Sequence, residues 1–578
     1  MKKERWAALL PLILLWLALI GSGCGFLIAQ SLGLPPAEYS LKKTQTHMVP
    51  MRDGVRLATD VYLPKTDKRM PAILIRTPYN KGKGKNLIAK AFATRGYVVA
   101  VQDVRGRYGS EGRFYAFTNE REDGYDTFKW LRRQSWCNGK VALYGFSYYG
   151  YTTWRTADAA GDKLSCWAPG YIGSRIYDVA YRQGAYSLLT TANWSFGVGT
   201  RTSQNGMVYR PDAVFRGPLI TLDNRAGRDI SFFNDWARHP TFDDFWKPMS
   251  TEGRWKNVDA PALVVNGWYD FVQGSTLADW ENLTTKAGKR ARKESRLVMG
   301  PWSHGGPHKL TGINFGKQAD FLSFNKYYFE WFGHYLHGDT DITLPRVRVF
   351  TMGVNRWQNF SAWPPPDAKK RSWYLHSGGQ AQNMGDGRFS RSRPGQESYD
   401  RFTHDPQHLV PTTGGPIFGA PPGPADQSAL GRRDDVLVYT SVELERDLEI
   451  TGPVTASIWF AADTPDVDIA VSLLDVDPSG TARVIVDGIA RASYRNGDAH
   501  DWLSRNKPVR MEIDLWSTSH VFAKGHRLRV HIAGSNYPRF MPNPCTKVEP
   551  YKAEQFAKAH IRLYHDAEHS SRLMLSER

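Results

Sequence analysis

The chain reads as a mostly parallel α/β domain, interrupted by a helical insertion and followed by a β-sandwich. Three observations predict this. Between residues 41 and 172, short β-type runs at 72–76, 98–101 and 141–144 alternate with helix-compatible segments such as 122–133, the pattern of a parallel sheet with crossover helices. From 173 to 255 the alternation stops, and Trp194, Phe196, Phe232, Trp236, Phe245 and Trp246 crowd a stretch with few β-branched runs. From 345 onward short β runs are separated by Gly, Pro and Asp, as in a sandwich.

The N-terminus begins Met-Lys-Lys-Glu-Arg and continues uncharged and mainly apolar from Trp6 to about Ala29. A basic head, an apolar body and small residues at Gly21-Ser-Gly form a secretory signal pattern, which predicts export with residues 1–30 as leader. The same span is long enough to cross a bilayer, so attachment to a membrane through an uncleaved N-terminus stays open. Cys24 after Ser22-Gly23 loosely resembles a lipoprotein site, with Gly21 where a larger apolar residue is normal.

Without the leader the chain is long enough for about three domains. The α/β domain is read as 41–172 and 256–344, with the helical cap at 173–255 inserted between its halves. The second half resumes at Pro261 and closes with a helix over 321–337. The insertion's aromatics are read as cap core, with one or two lining a pocket. Runs at 346–350, 454–460, 469–474, 482–486 and 528–532 are the strands of a domain at 345–578, in which 414–424 is a long Pro/Gly-rich loop. No internal repeat is evident.

Ser147 is the most informative residue. The β-type run 141–144 meets Gly145, then Phe146, then Ser147, then a helix-compatible stretch ending its first turn at Gly150. A serine on a tight strand-to-helix turn projects its hydroxyl clear of the backbone, and the helix N-terminus behind it offers N–H groups to a developing oxyanion. The usual spacing is G-x-S-x-G. Here Tyr149 holds the fifth place and the glycine follows one later.

A serine hydroxyl needs a base to take its proton and a carboxylate to orient that base. Downstream, the strand-like run 262–266 leads into Gly267-Trp-Tyr-Asp270, and 296–299 leads into Gly300-Pro-Trp-Ser-His304. Asp270 and His304 therefore both follow buried strands, where open α/β sheets place their sites, and in the order acid then histidine.

These blocks resemble the CocE/NonD hydrolases, the family of cocaine esterase, α-amino-acid ester hydrolases, glutaryl acylases and X-Pro dipeptidyl peptidases. The matching stretches are Arg76-Thr-Pro-Tyr-Asn80, Asp103-Val-Arg-Gly-Arg-Tyr-Gly-Ser-Glu-Gly112, Gly145 to Gly150, Gly267 to Asp270 and Gly300 to His304. Trp236 to Pro240 resembles the family's cap, and 439–453 with 520–544 its C-terminal domain. The family's elbow is G-x-S-Y-x-G, which accounts for the displaced glycine. The resemblance implies an α/β-hydrolase fold with a C-terminal jelly roll. It also implies Ser147 as nucleophile, His304 as general acid/base, Asp270 as orienting acid, and an oxyanion hole from the Tyr79 hydroxyl and Tyr148 N–H. A phenol suits that task, because it donates without becoming charged. Asp103, Arg105 and Ser110 are read as holding a loop through side-chain to backbone bonds.

The resemblance implies that relatives selective for a free α-amino group carry acids just after the orienting Asp, whereas this chain has Phe271-Val-Gln273. A neutral or hydrophobic acyl group is therefore favoured. The net charge of +18 contains no long Lys/Arg tract, so a solvated surface is expected and no nucleic-acid partner. Cys137, Cys166 and Cys545 lack paired metal spacing, and His565 with His569 is a weak signal; no metal or other cofactor is expected. If the strands bearing Cys137 and Cys166 are parallel neighbours, the two thiols share a sheet edge and a disulfide between them is expected. The functional expectation is an exported serine hydrolase acting on small-molecule esters or amides through an acyl-enzyme. An X-Pro dipeptidyl peptidase and a non-catalytic ligand-binding protein are the alternatives.

Overall fold

The computed structural model describes residues 34–203 and 211–578; the leader read at 1–30 lies outside the described residues. Among those described, no helix is long and apolar enough to cross a membrane.

The α/β domain is built on a ten-stranded sheet. Its strands are β1 (Gln45–Pro50), β2 (Arg56–Tyr62), β3 (Met70–Thr77), β4 (Val98–Asp103), β5 (Cys137–Phe146) and β6 (Cys166–Gly170), which precede the insertion. The insertion opens with a small hairpin, β7 (Tyr181–Arg182) and β8 (Ala185–Tyr186); β9 (Leu263–Tyr269) and β10 (Arg296–Ser303) then return to the sheet. A second hairpin, β11 (Lys309–Leu310) and β12 (Ile313–Asn314), precedes β13 (Val347–Thr351) and β14 (Arg356–Phe360). The sheet order is β1-β2-β4-β3-β5-β6-β9-β10-β13-β14. Neighbours from β4 to β13 all run parallel, and antiparallel pairs close both edges.

Strands in such a sheet are covered on both faces, so they are apolar throughout rather than alternating. Every residue of β3 is buried. Ala72 and Leu74 join one core, and Ile73 and Ile75 the other, as the two-residue period of a strand requires. The first core is completed by Phe128 and Leu131 of α2 (Glu120–Arg132) and Tyr151 and Trp154 of α3 (Ser147–Ala160). The second is completed by Phe92 of α1 (Leu87–Ala93) and by Phe329 and Phe332 of the helix Asn325–Phe332.

The insertion between β6 and β9 carries the helices Tyr177–Ala180, Leu188–Val198, Leu222–Arg225 and Ser231–Arg238. Its aromatics do pack as a core. Trp194 stacks on Trp236 at 5.9 Å and on Phe117 at 5.2 Å.

Eleven strands form the C-terminal unit. They are β15 (Lys369–His376), β16 (Arg388–Ser390), β17 (Asp400–His404), β18 (Val436–Thr440), β19 (Leu448–Ala462), β20 (Asp468–Val476), β21 (Ala482–Arg491), β22 (Val509–Phe522), β23 (Arg527–Ala533), β24 (Ala559–Tyr564) and β25 (Arg572–Glu577). The long β19 pairs with β22, β24 and β25 over different lengths. Although β21 ends the hydrogen-bonded path, its Gly488 lies so close to β22 that a Cβ would meet the Asp514 carbonyl at 2.5 Å. The sheet thus folds over on itself as the jelly-roll sandwich expected. It grips the α/β domain beside Asp270: Gln273 donates to the Ser517 carbonyl at 2.5 Å and Tyr269 to that of Val484 at 3.2 Å.

Two expectations are corrected. The run at 346–350, read as a sandwich strand, is β13 and pairs parallel with β10, because its buried Val347, Val349 and Phe350 extend the α/β core. The Cys137–Cys166 disulfide does not form; both thiols are free and buried. Although β5 and β6 are parallel neighbours, Cys166 lies opposite Ala142, while Cys137 lies opposite Met70 on the other side of β5. Five residues of strand separate the two positions, about 17 Å, far beyond disulfide reach.

Candidate active site

Tyr79, Asp103, Ser147, Asp270 and His304 all lie at or just beyond the carboxyl ends of β3, β4, β5, β9 and β10, so the parallel sheet delivers them to one edge. Ser147 opens α3 with φ of 54°. That left-handed conformation is uncommon for a side chain other than glycine, and it turns the hydroxyl away from both strand and helix. A Cβ on Gly145 would stand 2.0 Å from the Tyr149 carbonyl, and one on Gly150 would stand 2.8 Å from that of Gly170. The close approach that demands the second glycine therefore falls at 150, not 149.

The structure brings the three predicted polar residues together. His304 Nε2 lies 2.9 Å from Ser147 Oγ, and His304 Nδ1 lies 2.9 Å from Asp270 Oδ2. Asp270 is fully buried, and its other oxygen accepts the Val272 N–H at 2.9 Å. An ionised carboxylate only accepts, so it selects the tautomer with the proton on Nδ1 and leaves Nε2 free to accept from the serine. Phe271 and Phe418 pack against the imidazole with ring centroids 4.8 and 5.6 Å away.

Tyr79 stands beside them. Its hydroxyl accepts the Trp194 indole N–H at 2.9 Å, and the Ser147 side chain is close enough to pull on its pKa. Burial raises the Tyr79 pKa against the pull of Trp194 and Ser147, so the phenol stays neutral at working pH. Because an indole is only a donor, it occupies a Tyr79 lone pair and leaves the phenolic proton for the serine side. Tyr148 stands in the first turn of α3, where N–H groups have no partner within the helix. Its buried side chain anchors that turn: the hydroxyl donates to Glu120 Oε1 at 2.7 Å and accepts the Phe117 N–H at 3.0 Å. Glu120 is held in turn by Arg76 at 2.7 Å, and Arg76 by Gln102 at 2.7 Å.

In the motif after β4, Asp103 and Ser110 hold the loop through side-chain to backbone bonds, as read, whereas Arg105 does so through ion pairs. Asp103 accepts the backbone N–H groups of Lys81 and Gly109, Ser110 donates to the Asp103 carbonyl, and Arg105 pairs with Asp53 and Asp123. Two contributors escaped the sequence reading. Trp194 was one of many insertion aromatics, with nothing to single out its N–H. Phe418 sits in the loop 414–424 of the distant sandwich, where an Ile-Phe pair among Pro and Gly was the only signal.

Residues 53–306 match the model of the X-Pro dipeptidyl-peptidase (S15) family, and 341–574 match that of the X-Pro dipeptidyl-peptidase C-terminal non-catalytic domain. Cocaine esterase of Rhodococcus sp. (strain MB1 Bresler) is 34% identical over 571 residues, covering 91% of this chain and 97% of that one. The chain belongs to the CocE/NonD family of serine hydrolases. Among solved structures, an α-amino acid ester hydrolase superposes with a TM-score of 0.83 at 25% identity, covering 94% of this chain and 98% of the other. An aminopeptidase from a marine sediment Thaumarchaeota archaeon gives 0.82 with the same identity and coverage. The CocE/NonD assignment makes the chain an enzyme, and it matches both the α/β part and the sandwich.

Proposed function

We propose that this chain is an exported acyl esterase that cleaves small-molecule carboxylic esters, or activated amides, through a covalent acyl-serine. The observation that carries the reading is the unbroken Ser147–His304–Asp270 relay, with both links at 2.9 Å. His304 Nε2 takes the Ser147 proton as the hydroxyl attacks the carbonyl carbon. The carbonyl oxygen, now anionic, rests on the Tyr79 hydroxyl and the Tyr148 N–H, while Asp270 steadies the imidazolium at Nδ1. The tetrahedral adduct collapses, the C–O bond to the leaving alcohol breaks, and His304 returns the proton to that oxygen. Water then attacks the acyl-serine with His304 as base, releasing the acid and restoring the hydroxyl.

Substrate preference follows from the walls. Phe271 follows Asp270 directly and with Phe418 packs aromatic carbon against His304, while Trp194 stands beside Tyr79. Such walls favour a neutral, apolar acyl group, because a charged amine there would lose hydration without a paired carboxylate. The S15 relatives raise the alternative of cleavage after an X-Pro dipeptide. Turnover of a short-chain aryl ester against an Ala-Pro anilide separates the two: the esterase reading requires the ester to win in kcat/KM, and an anilide preference overturns it. Export rests on the apolar leader behind Lys2, Lys3 and Arg5. Fractionation of expressing cells tests it, and full-length enzyme confined to the cytosol would refute it.

A further inference from the structure

Arg107 follows the glycine of the Asp103–Gly112 motif, and the relay leaves it unused. Its side chain is wholly buried, with 0% exposure. A buried arginine ordinarily meets a carboxylate, yet among the described residues Arg107 bonds only neutral oxygens. Its Nε donates to the Pro78 carbonyl at 2.9 Å. Its Nη1 donates to the carbonyls of Val198, at 2.8 Å, and Thr200, and its Nη2 to Ser203 Oγ at 3.1 Å. The rings of Tyr108 and Phe114 flank the guanidinium at 5.2 and 5.3 Å.

These partners belong to two segments with one thing in common. Pro78 immediately precedes Tyr79. Val198 ends the helix Leu188–Val198, which carries Trp194, the residue that bonds the Tyr79 hydroxyl. The C-terminal carbonyls of a helix carry partial negative charge and suit a cation. The fork of one guanidinium thus ties the backbone behind Tyr79 to the end of the helix whose indole fixes the Tyr79 hydroxyl. Its neighbours in the loop reinforce the junction: Tyr108 N–H donates to the Arg201 carbonyl at 3.0 Å, and Arg201 donates to that of Ser110 at 2.6 Å.

We infer that Arg107 is a positioning residue for the oxyanion hole, holding the Tyr79 loop and the Trp194 helix in the one arrangement that aims the phenol at the reacting carbonyl. The inference rests on the role proposed above for Tyr79. A phenol displaced by about 1 Å loses most of its value to the transition state, and misplacements of that size cost up to about a hundredfold in rate. Substrate binding in the ground state does not need that hydrogen bond, so the loss belongs to kcat rather than KM.

The test is a double-mutant cycle on ester hydrolysis with wild type, Arg107→Met, Tyr79→Phe and the combination, each normalised to the fraction of serine titrated by a fluorophosphonate. Arg107→Met is expected to lower kcat about ten- to a hundredfold with KM changed less than about threefold. In the Tyr79→Phe background, where no phenol remains to aim, the same change is expected to cost less than about threefold. Arg107→Lys keeps the charge but not the fork and should recover only part of the rate; it replaces Arg107→Met in the cycle if that variant does not fold. An unchanged kcat, or an equal loss in both backgrounds, overturns the inference. Failure of wild type to titrate would instead refute the serine-hydrolase mechanism, so the two failures are distinct.

Discussion

The indole N–H of Trp194, on the inserted cap, donates to the hydroxyl of Tyr79, on the loop after the third strand, at 2.9 Å. The bond crosses between two chain segments more than a hundred residues apart and sets the direction of the phenolic proton. Trp194→Phe keeps the aromatic stack with Phe117 and Trp236 but removes the donor. A neutral hydrogen bond contributes about 1 kcal/mol, so kcat should fall roughly fivefold with little change in melting temperature. Tyr79→Phe removes the hydroxyl proposed to hold the oxyanion and should cost about 10²–10³ in kcat. Steady-state kinetics of the two variants check the order; a larger loss from Trp194→Phe would contradict it.

Phe418 gives the sandwich a place in the active site. Its ring packs 5.6 Å from that of His304 and 5.3 Å from that of Phe271. Phe418→Ala should weaken kcat/KM for esters of bulky apolar acids by about tenfold and for acetate esters far less, since small changes in apolar contact discriminate by one to two orders of magnitude. An equal loss for both substrates would show that the ring only supports the imidazole.

Stability should carry a pH signature from the base of the cap. Asp279 is buried, and its carboxylate accepts both the N–H and the hydroxyl of Ser174. Burial, with a smaller push from Asp178 against the pull of Ser174 and Arg175, lifts its pKa to about 7. A carboxyl raised on folding binds its proton more tightly in the native state, so its contribution is present at low pH and lost as pH rises through about 7. Asp279→Asn cannot titrate. The melting temperature of the variant minus that of wild type should therefore rise between pH 5 and pH 8, and a constant difference would contradict the assignment.

The thiols of Cys137, Cys166 and Cys545 should all alkylate in denaturant without prior reduction, as expected of free buried cysteines. Intact-mass analysis reads the count, and a mass two daltons low with a protected pair would restore a disulfide.

Much of the site was legible because its elements are local. A strand, a glycine-framed turn and one polar residue fit within ten residues, and Ser147, Asp270 and His304 each announce themselves that way. The parallel order of the sheet then forces their convergence, so the fold and the three residues could be read together. What could not be read depends on register and on long-range packing. Cys137 and Cys166 occupy adjacent strands, but only the offset of Ala142 against Cys166 shows them to be far apart. Likewise β13 looks like any sandwich strand, and its partnership with β10 is a tertiary fact. Trp194, Phe418 and Arg107 matter through partners contributed by distant segments, and a lone sequence carries no mark of such pairing.

The central claim is that His304 and Asp270 activate Ser147, and active-site labelling tests it most directly. Wild-type enzyme and Ser147→Ala would be treated with a fluorophosphonate and weighed intact, with the adduct mapped by peptide analysis. The account predicts one adduct per chain, on Ser147, absent from the variant and formed far more slowly in His304→Ala. A folded wild-type enzyme that takes up no probe, or an adduct that survives in Ser147→Ala, would contradict it.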